Sequence, residues 1–211
     1  YKNFHISCNN SQFNDELNEI KDFNSIYLPN IYYPAFPAFY QRKETFEEKV
    51  IDIGCFGAVR PLKNQLLQAM AALIFAKKIG KKINFHINGT RPEQTGENVL
   101  KNLRGLFAGS EHKLIEHDWY SHEEFVTKLV PRMDLGMQVS FSESFNIVTA
   151  DFVYGGVPIV VSDDVTWMPK DTRVNPNSAL DIAKKMYELW VLRSNIAINK
   201  NLYALKTYNE S

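Results

Sequence analysis

From Lys49 onward, short apolar runs alternate with longer amphipathic stretches. Val50 to Phe56 predicts a strand, Asn64 to Ile79 a helix closed by Gly80, and Lys82 to Ile87 a second strand stopped by Asn88 and Gly89. Glu97 to Phe107 predicts a helix and His112 to Glu116 a third strand. Ser121, with Glu124 three residues on, forms a capping box that opens a helix through Leu129. Met133 to Val139 is the fourth predicted strand. Phe145 to Tyr154 predicts a short helix ended by Gly155 and Gly156, Val157 to Val161 a fifth strand, and Ser178 to about Asn195 a long final helix. Five strands separated by helices predict an α/β protein, a Rossmann-like doubly wound parallel sheet.

The first 48 residues follow a different pattern, rich in Asn, aromatics and Pro. Pro29, Pro34 and Pro37 each fix φ and remove a backbone donor, so Leu28 to Phe39 is expected to be an extended connector. The chain therefore divides into a linker or hinge segment, 1–48, and a ligand-binding domain, 49–211.

Composition narrows the function. Lys and Arg number 24, as do Asp and Glu, so there is no formal net charge and no electrostatic footprint for a broad grip on nucleic acid. The longest apolar run, Ala69 to Ala76, is far shorter than the roughly 20 residues of a membrane helix. Cys8 and Cys55 make no disulfide framework and are expected to be reduced. Tyr1 to Asn10 hold no secretory signal, which points to the cytoplasm, with peripheral attachment to a membrane as the alternative. The chain does not open on Met and is read as a piece of a longer protein. No zinc-like histidine spacing, Gly-x-Ser-x-Gly elbow or Walker A loop occurs, and no metal or cofactor is expected.

In an open parallel sheet the ligand lies beyond the carboxyl ends of the strands, so the loops that follow them are the candidate site. After the first predicted strand comes Gly57-Ala58-Val59-Arg60-Pro61-Leu62-Lys63. Its small residue permits a tight turn, and Arg60 and Lys63 are placed to clamp a phosphate. After the fourth, Ser142-Glu143-Ser144-Phe145-Asn146-Ile147 runs directly into a helix whose amino end attracts anions. Glu143 can accept from sugar hydroxyls, and so can Asp151, two turns down an apolar helix, where a buried acid needs a partner. After the third, His117, Asp118 and Trp119 offer an edge for a nucleobase. Each loop also has a plainer reading: a turn with two solvated cations, helix capping by Glu143 and Ser144, or a surface loop with a half-buried Trp. His86, inside a strand, reads as a packed histidine.

These phrases resemble one family. Ser142 to Val160, with Glu143 and Asp151 eight apart and Gly155-Gly156-Val157-Pro158-Ile159-Val160 at its end, is similar to the Glu-x7-Glu segment and Gly-x-Pro-Val-Val strand of retaining glycosyltransferases of the GT-B fold, family four. Gly57 to Asn64 resembles that family's Gly-Arg…Lys-Gly loop, and Tyr27-Leu28-Pro29-Asn30 its Pro-Asn-Gly phrase. The likeness runs in order from about Ser25 to Pro169. It implies the C-terminal, donor-binding half of a two-domain enzyme whose N-terminal half, holding the acceptor, is absent. It also implies that Lys63 and Arg60 grip the diphosphate of a nucleotide sugar such as a UDP- or GDP-sugar, helped by the amides of Phe145, Asn146 and Ile147. Glu143 would touch the donor sugar, Asp151 the ribose, and transfer would proceed with retention and without metal. The acceptor, most simply a saccharide, belongs to the absent half. Ala58 stands where the family has Arg, so Arg60 substitutes from two residues along. Asp151 is shorter than the family's Glu, and Asn146 replaces a Gly, which a helical φ would accommodate. A nucleotide-sugar epimerase of the same fold and a non-catalytic nucleotide-binding module are the alternative readings.

Overall fold

The computed structural model describes residues 4–20, 23–34, 50–192 and 195–210. Pro37 and the last part of the expected connector, residues 35–39, lie outside them. The residues from 28 to 34 have no regular secondary structure.

The amino-terminal segment is not merely extended. Ile6–Cys8 (β1), Ser11–Asn18 (α1) and Ser25–Tyr27 (β2) form a small parallel β–α–β unit. Asn10 caps α1 by accepting from the Phe13 amide at 2.9 Å. Ser25 closes the unit: its amide donates to Asn18 Oδ1 at 2.7 Å and its hydroxyl to Asn14 Oδ1 at 2.9 Å.

The main sheet is built from Val50–Gly54 (β3), Lys82–Ile87 (β4), Lys113–Glu116 (β5), Leu135–Gln138 (β6), Ile159–Ser162 (β7) and Arg173–Val174 (β8). Its order is β5-β4-β3-β6-β7-β8, and all pairs are parallel. The connecting helices are Gln65–Ile79 (α2), Gly96–Phe107 (α3), His122–Glu124 (α4, continued by a π turn over Phe125–Leu129), Ile147–Tyr154 (α5), Ala179–Leu192 (α6) and Asn195–Glu210 (α7). Five strands were expected and six are found. β8 has only two residues, too few for a periodicity to register. α7 follows where the last expected helix ends.

Each face of the sheet is covered, which is why its strands are continuous apolar runs. On one face Ile51, Ile53, Phe85 and Ile87 pack with Phe75 and Leu103 from α2 and α3. On the other, Ile159 and Val161 pack with Phe56 and with Phe152 and Val153 of α5. The main helices end as their residues dictate. Gly80, at φ 65°, closes α2, and the Lys81 amide reaches the Ala76 carbonyl at 3.2 Å.

The order reverses between β3 and β6: the chain runs outward from β3 to β5, then returns to β6. Crevices form at such a switch point because successive connections leave to opposite sides. α3 abuts the loop after β3 so closely that a side chain at Gly96 would collide with the Val59 carbonyl oxygen, which itself accepts from the Glu93 amide at 2.8 Å. Gly96→Ala is expected to cost about 1–3 kcal/mol, read by chemical denaturation, because backbone rather than a flexible side chain must give way. A cost near zero would mean that the α3 start is free to move.

Candidate functional site

A lattice of neutral amide side chains fixes the two loops at the switch point. Asn64, at φ 56°, donates to the Val139 carbonyl at 3.1 Å and to that of Pro176 at 2.9 Å. Gln68 donates to the Lys63 carbonyl at 2.7 Å and accepts from the Val139 amide at 2.9 Å. Gln138 donates to the Phe56 carbonyl at 2.8 Å and accepts from Asn146 at 3.1 Å. Asn88 accepts from the Gly57 amide at 2.8 Å. Gly57 has φ 109°, which L side chains rarely adopt. Buried polar groups are inexpensive only when paired, and here the pairs tie the end of β3 to the end of β6.

The cleft has two lobes that share Ile147 and Val148, at the start of α5. One, of about 330 Å³, is lined by Asn30, Lys63, Glu143, Ser144, Phe145 and Asn146 among others. The other, of about 250 Å³, is lined by Gly57, Asn88, Trp119, Tyr120, His122 and Asp151 among others.

In the first lobe Lys63 Nζ is ion-paired with Glu143 Oε1, their side chains 15% and 9% exposed. Lys63 ends a single 3-10 turn opened by Pro61, and the Phe141 amide donates to the Leu62 carbonyl at 2.9 Å, so the two loops arrive together. Asn146 corrects the expectation of a helical φ. It lies in the left-handed region at φ 57°, the conformation for which glycine is ordinarily chosen. Asn tolerates it, and its Oδ1 caps α5 by accepting from the Thr149 amide at 2.9 Å. The Ile147 and Val148 amides precede the first intrahelical bonds of α5 and carry its positive end.

In the second lobe Asp151 is 2% exposed. Its Oδ1 accepts from Tyr32 O–H at 2.7 Å and from His122 Nε2 at 2.6 Å. Burial pushes its carboxyl above the ordinary range, and the Tyr32 and His122 bonds work against that rise. Burial and the adjacent carboxylate push the Tyr32 hydroxyl strongly up, so it stays a donor. Trp119, 56% exposed, stands at the lobe with the Arg91 guanidinium 4.5 Å from its ring centroid.

Three predicted residues are placed elsewhere. Arg60 is paired with Glu93 at 3.8 Å and is not among the lining residues of either lobe. His117 stands behind the wall, its ring 5.8 Å from Phe56 and 6.2 Å from Tyr120. His86 Nε2 donates to Asp52 Oδ1 at 2.9 Å, since the carboxylate can only accept, and His86 Nδ1 and His117 Nε2 share a hydrogen bond of 2.8 Å. Burial, then His86 and Arg132, hold His117 down at about 4, and it is neutral near pH 7. Asp118 contributes its carbonyl, which accepts from Asn88 at 3.3 Å. Conversely, Tyr32, His122 and Asn88 belong to the site without having been singled out. Each lies beside a local signal without being marked by it: Tyr32 two residues beyond the Pro29-Asn30 phrase, His122 next to the Ser121 cap, and Asn88 at the predicted end of a strand.

Cys8 and Cys55 are free and buried, and burial pushes the Cys55 thiol up to about 12, so it offers no thiolate. Among the described residues no helix is long and apolar enough to cross a membrane, and no three His, Cys, Asp or Glu side chains are grouped to hold a metal ion.

No protein-family profile and no curated sequence matches the chain. Solved structures do. A mutant of TarM from S. aureus, in complex with fondaparinux, α-GlcNAc-glycerol and UDP, superposes on 98% of this chain with a TM-score of 0.73 at 15% identity. The chain has the fold of a Rossmann-like GT-B half. A trehalose-6-phosphate synthase studied for glycosyl transfer with retention matches over 89% of the chain, with a TM-score of 0.67 at 14% identity. A UDP-forming α,α-trehalose-phosphate synthase from Burkholderia vietnamiensis matches over 77%, with a TM-score of 0.62 at 10% identity. The chain spans 41%, 50% and 44% of these three proteins, so this glycosyltransferase-like fold is matched to about half of each.

Proposed function

We propose that this chain is the donor-binding half of a retaining, metal-independent glycosyltransferase, holding a nucleotide diphosphate sugar for an acceptor bound by another domain. The observation that carries the reading is the Lys63–Glu143 pair at the amino end of α5, inside a cleft at the switch point of the sheet. A cation and a helix start converge there, which is what a departing diphosphate requires. Glu143 beside them is the acceptor we assign to sugar hydroxyls, and Asp151, which lines the adjoining lobe, the acid we assign to the ribose. Trp119 offers an aromatic face for the base. The TarM structure contains UDP and the Burkholderia enzyme is UDP-forming, which supports a nucleotide of this kind for this chain. Because nucleotide sugars are made in the cytoplasm, the reading places the protein there.

The test is calorimetric titration of the 211-residue chain with UDP, GDP and ADP and their sugar conjugates. Base-selective binding that falls in Asp151→Ala is the expected result. Equal, weak binding of all three nucleotides, unchanged in the variant, would refute a donor site.

A further inference from the structure

The acid assigned to the ribose is already engaged. Asp151 Oδ1 accepts two bonds, from Tyr32 O–H at 2.7 Å and His122 Nε2 at 2.6 Å, and a carboxylate oxygen has two lone-pair directions. Oδ1 is therefore filled. Among the described residues no hydrogen bond reaches Oδ2, and Asp151 lines the 250 Å³ lobe.

Tyr32 is held firmly, and His122 stands on a capped turn with its side chain 45% exposed. Tyr32 is 5% exposed, and Asn209 of α7 grips its backbone on both sides: the Tyr32 amide donates to Asn209 Oδ1 at 3.0 Å, and its carbonyl accepts from Asn209 Nδ2 at 2.9 Å. Its ring meets His122 edge-on at 6.1 Å and Tyr154 at 5.9 Å. His122 opens the turn capped by Ser121, whose hydroxyl accepts from the Glu124 amide at 3.3 Å.

We propose that Tyr32 and His122 are positioning residues for nucleotide recognition: by filling Oδ1 they turn the Asp151 carboxylate so that Oδ2 alone reads the sugar, bonding one ribose hydroxyl rather than both. The proposal rests on the donor reading and adds to it the number of hydroxyls sensed and the segment that controls the acid. Tyr32 lies 119 residues before Asp151, in the segment that follows β2. The two bonds also keep Asp151 an acceptor, because a carboxylate so desolvated and unbonded would take up a proton and become a donor. The titratable groups facing it are Tyr32 from the connector and His122 from α4, with Tyr154 behind Tyr32.

Tyr32→Phe keeps the ring and removes the hydroxyl. Without nucleotide, NMR titration of the side-chain carboxyl carbon should place Asp151 at a higher pH in Tyr32→Phe than in the parent chain, since a bond that favours the charged form is gone. Superimposable titrations would overturn the positioning role. With nucleotide, UDP and GDP are compared with their 2′-deoxy and 3′-deoxy forms in the parent chain. One deoxy form should bind about tenfold more weakly and the other like the parent nucleotide. Equal losses for both, or none for either, would overturn single-hydroxyl recognition. Failure of the parent chain to bind UDP or GDP at all would overturn the donor reading and the ribose role with it, while the carboxyl titration still decides whether Tyr32 positions Asp151.

Discussion

Lys63→Ala is expected to weaken UDP or GDP binding by about 1.5–3 kcal/mol, the value of a hydrogen bond to a charged group, or roughly 10- to 150-fold in Kd. Glu143→Gln is expected to act in the opposite direction. The Lys63 ammonium is paired with Glu143 in a setting where both side chains are largely withdrawn from water, so a diphosphate must compete with that carboxylate for its cation. Removing the competitor's charge while keeping its shape should tighten nucleoside diphosphate binding by about 1–4 kcal/mol, the span of one charge interaction at about 4 Å between water and a protein surface. Lys63→Ala leaves Glu143 unpaired and facing the incoming anion, which adds to its loss. Calorimetry on both variants checks the pair of signs. No change in either would remove Lys63 from the site, and weaker binding in Glu143→Gln would make Glu143 a contributor to binding instead of a rival.

Phe152→Ala is expected to destabilise the fold by about 3–5 kcal/mol, a large share of the roughly 5–15 kcal/mol that holds a domain together. At this chain length that lowers Tm by about 6–20 °C. Phe152 is fully buried on α5, and its ring occupies the space that side chains at Gly54 and Gly136 would need: a Cβ at Gly54 would lie 2.7 Å from it. Glycines on β3 and β6 thus make a trough, and Phe152 seats α5 in it. Losing the ring leaves a cavity beneath the helix that carries Asp151 and begins at the cleft. Differential scanning calorimetry checks the shift, and a loss under about 2 °C would mean that the trough collapses around the smaller residue.

The parts of this fold legible in the sequence are those with enough residues to show a period. β4 occupies the predicted Lys82–Ile87, and α2 and α3 begin within one residue of expectation, because a Gly closes α2 and apolar spacing defines both. The two glycines after Tyr154 likewise announced the end of α5. What stayed hidden was short or distant. β1, β2 and β8 have two or three residues each, below the length at which alternation means anything. The Asn146 backbone could not be inferred from an Asn that caps helices as readily as it adopts positive φ. Lys63 and Glu143, 80 residues apart, were both singled out because each sits after a strand where ligands gather. Arg60 was singled out for the same reason, yet Glu93 holds it, since a charge three residues from a lysine on a turning backbone need not face the same way. Tyr32 reaches Asp151 across the fold, and no local pattern encodes such a contact.

The carboxamides that bind the two loops, Asn64, Gln68, Asn88, Gln138 and Asn146, carry no charge in acid or alkali and attract no counterions. The mould of the cleft is thereby insulated from the ionic medium. Salt and pH act instead on the ionisable members of the site, on Lys63, Glu143, Asp151 and His122 and whatever anion arrives, while these carboxamide ties between the loops keep their protonation throughout. The part of the cleft that joins β3 to β6 is consequently fixed by bonds that do not titrate, and a change in affinity with buffer is to be sought first among its charged groups.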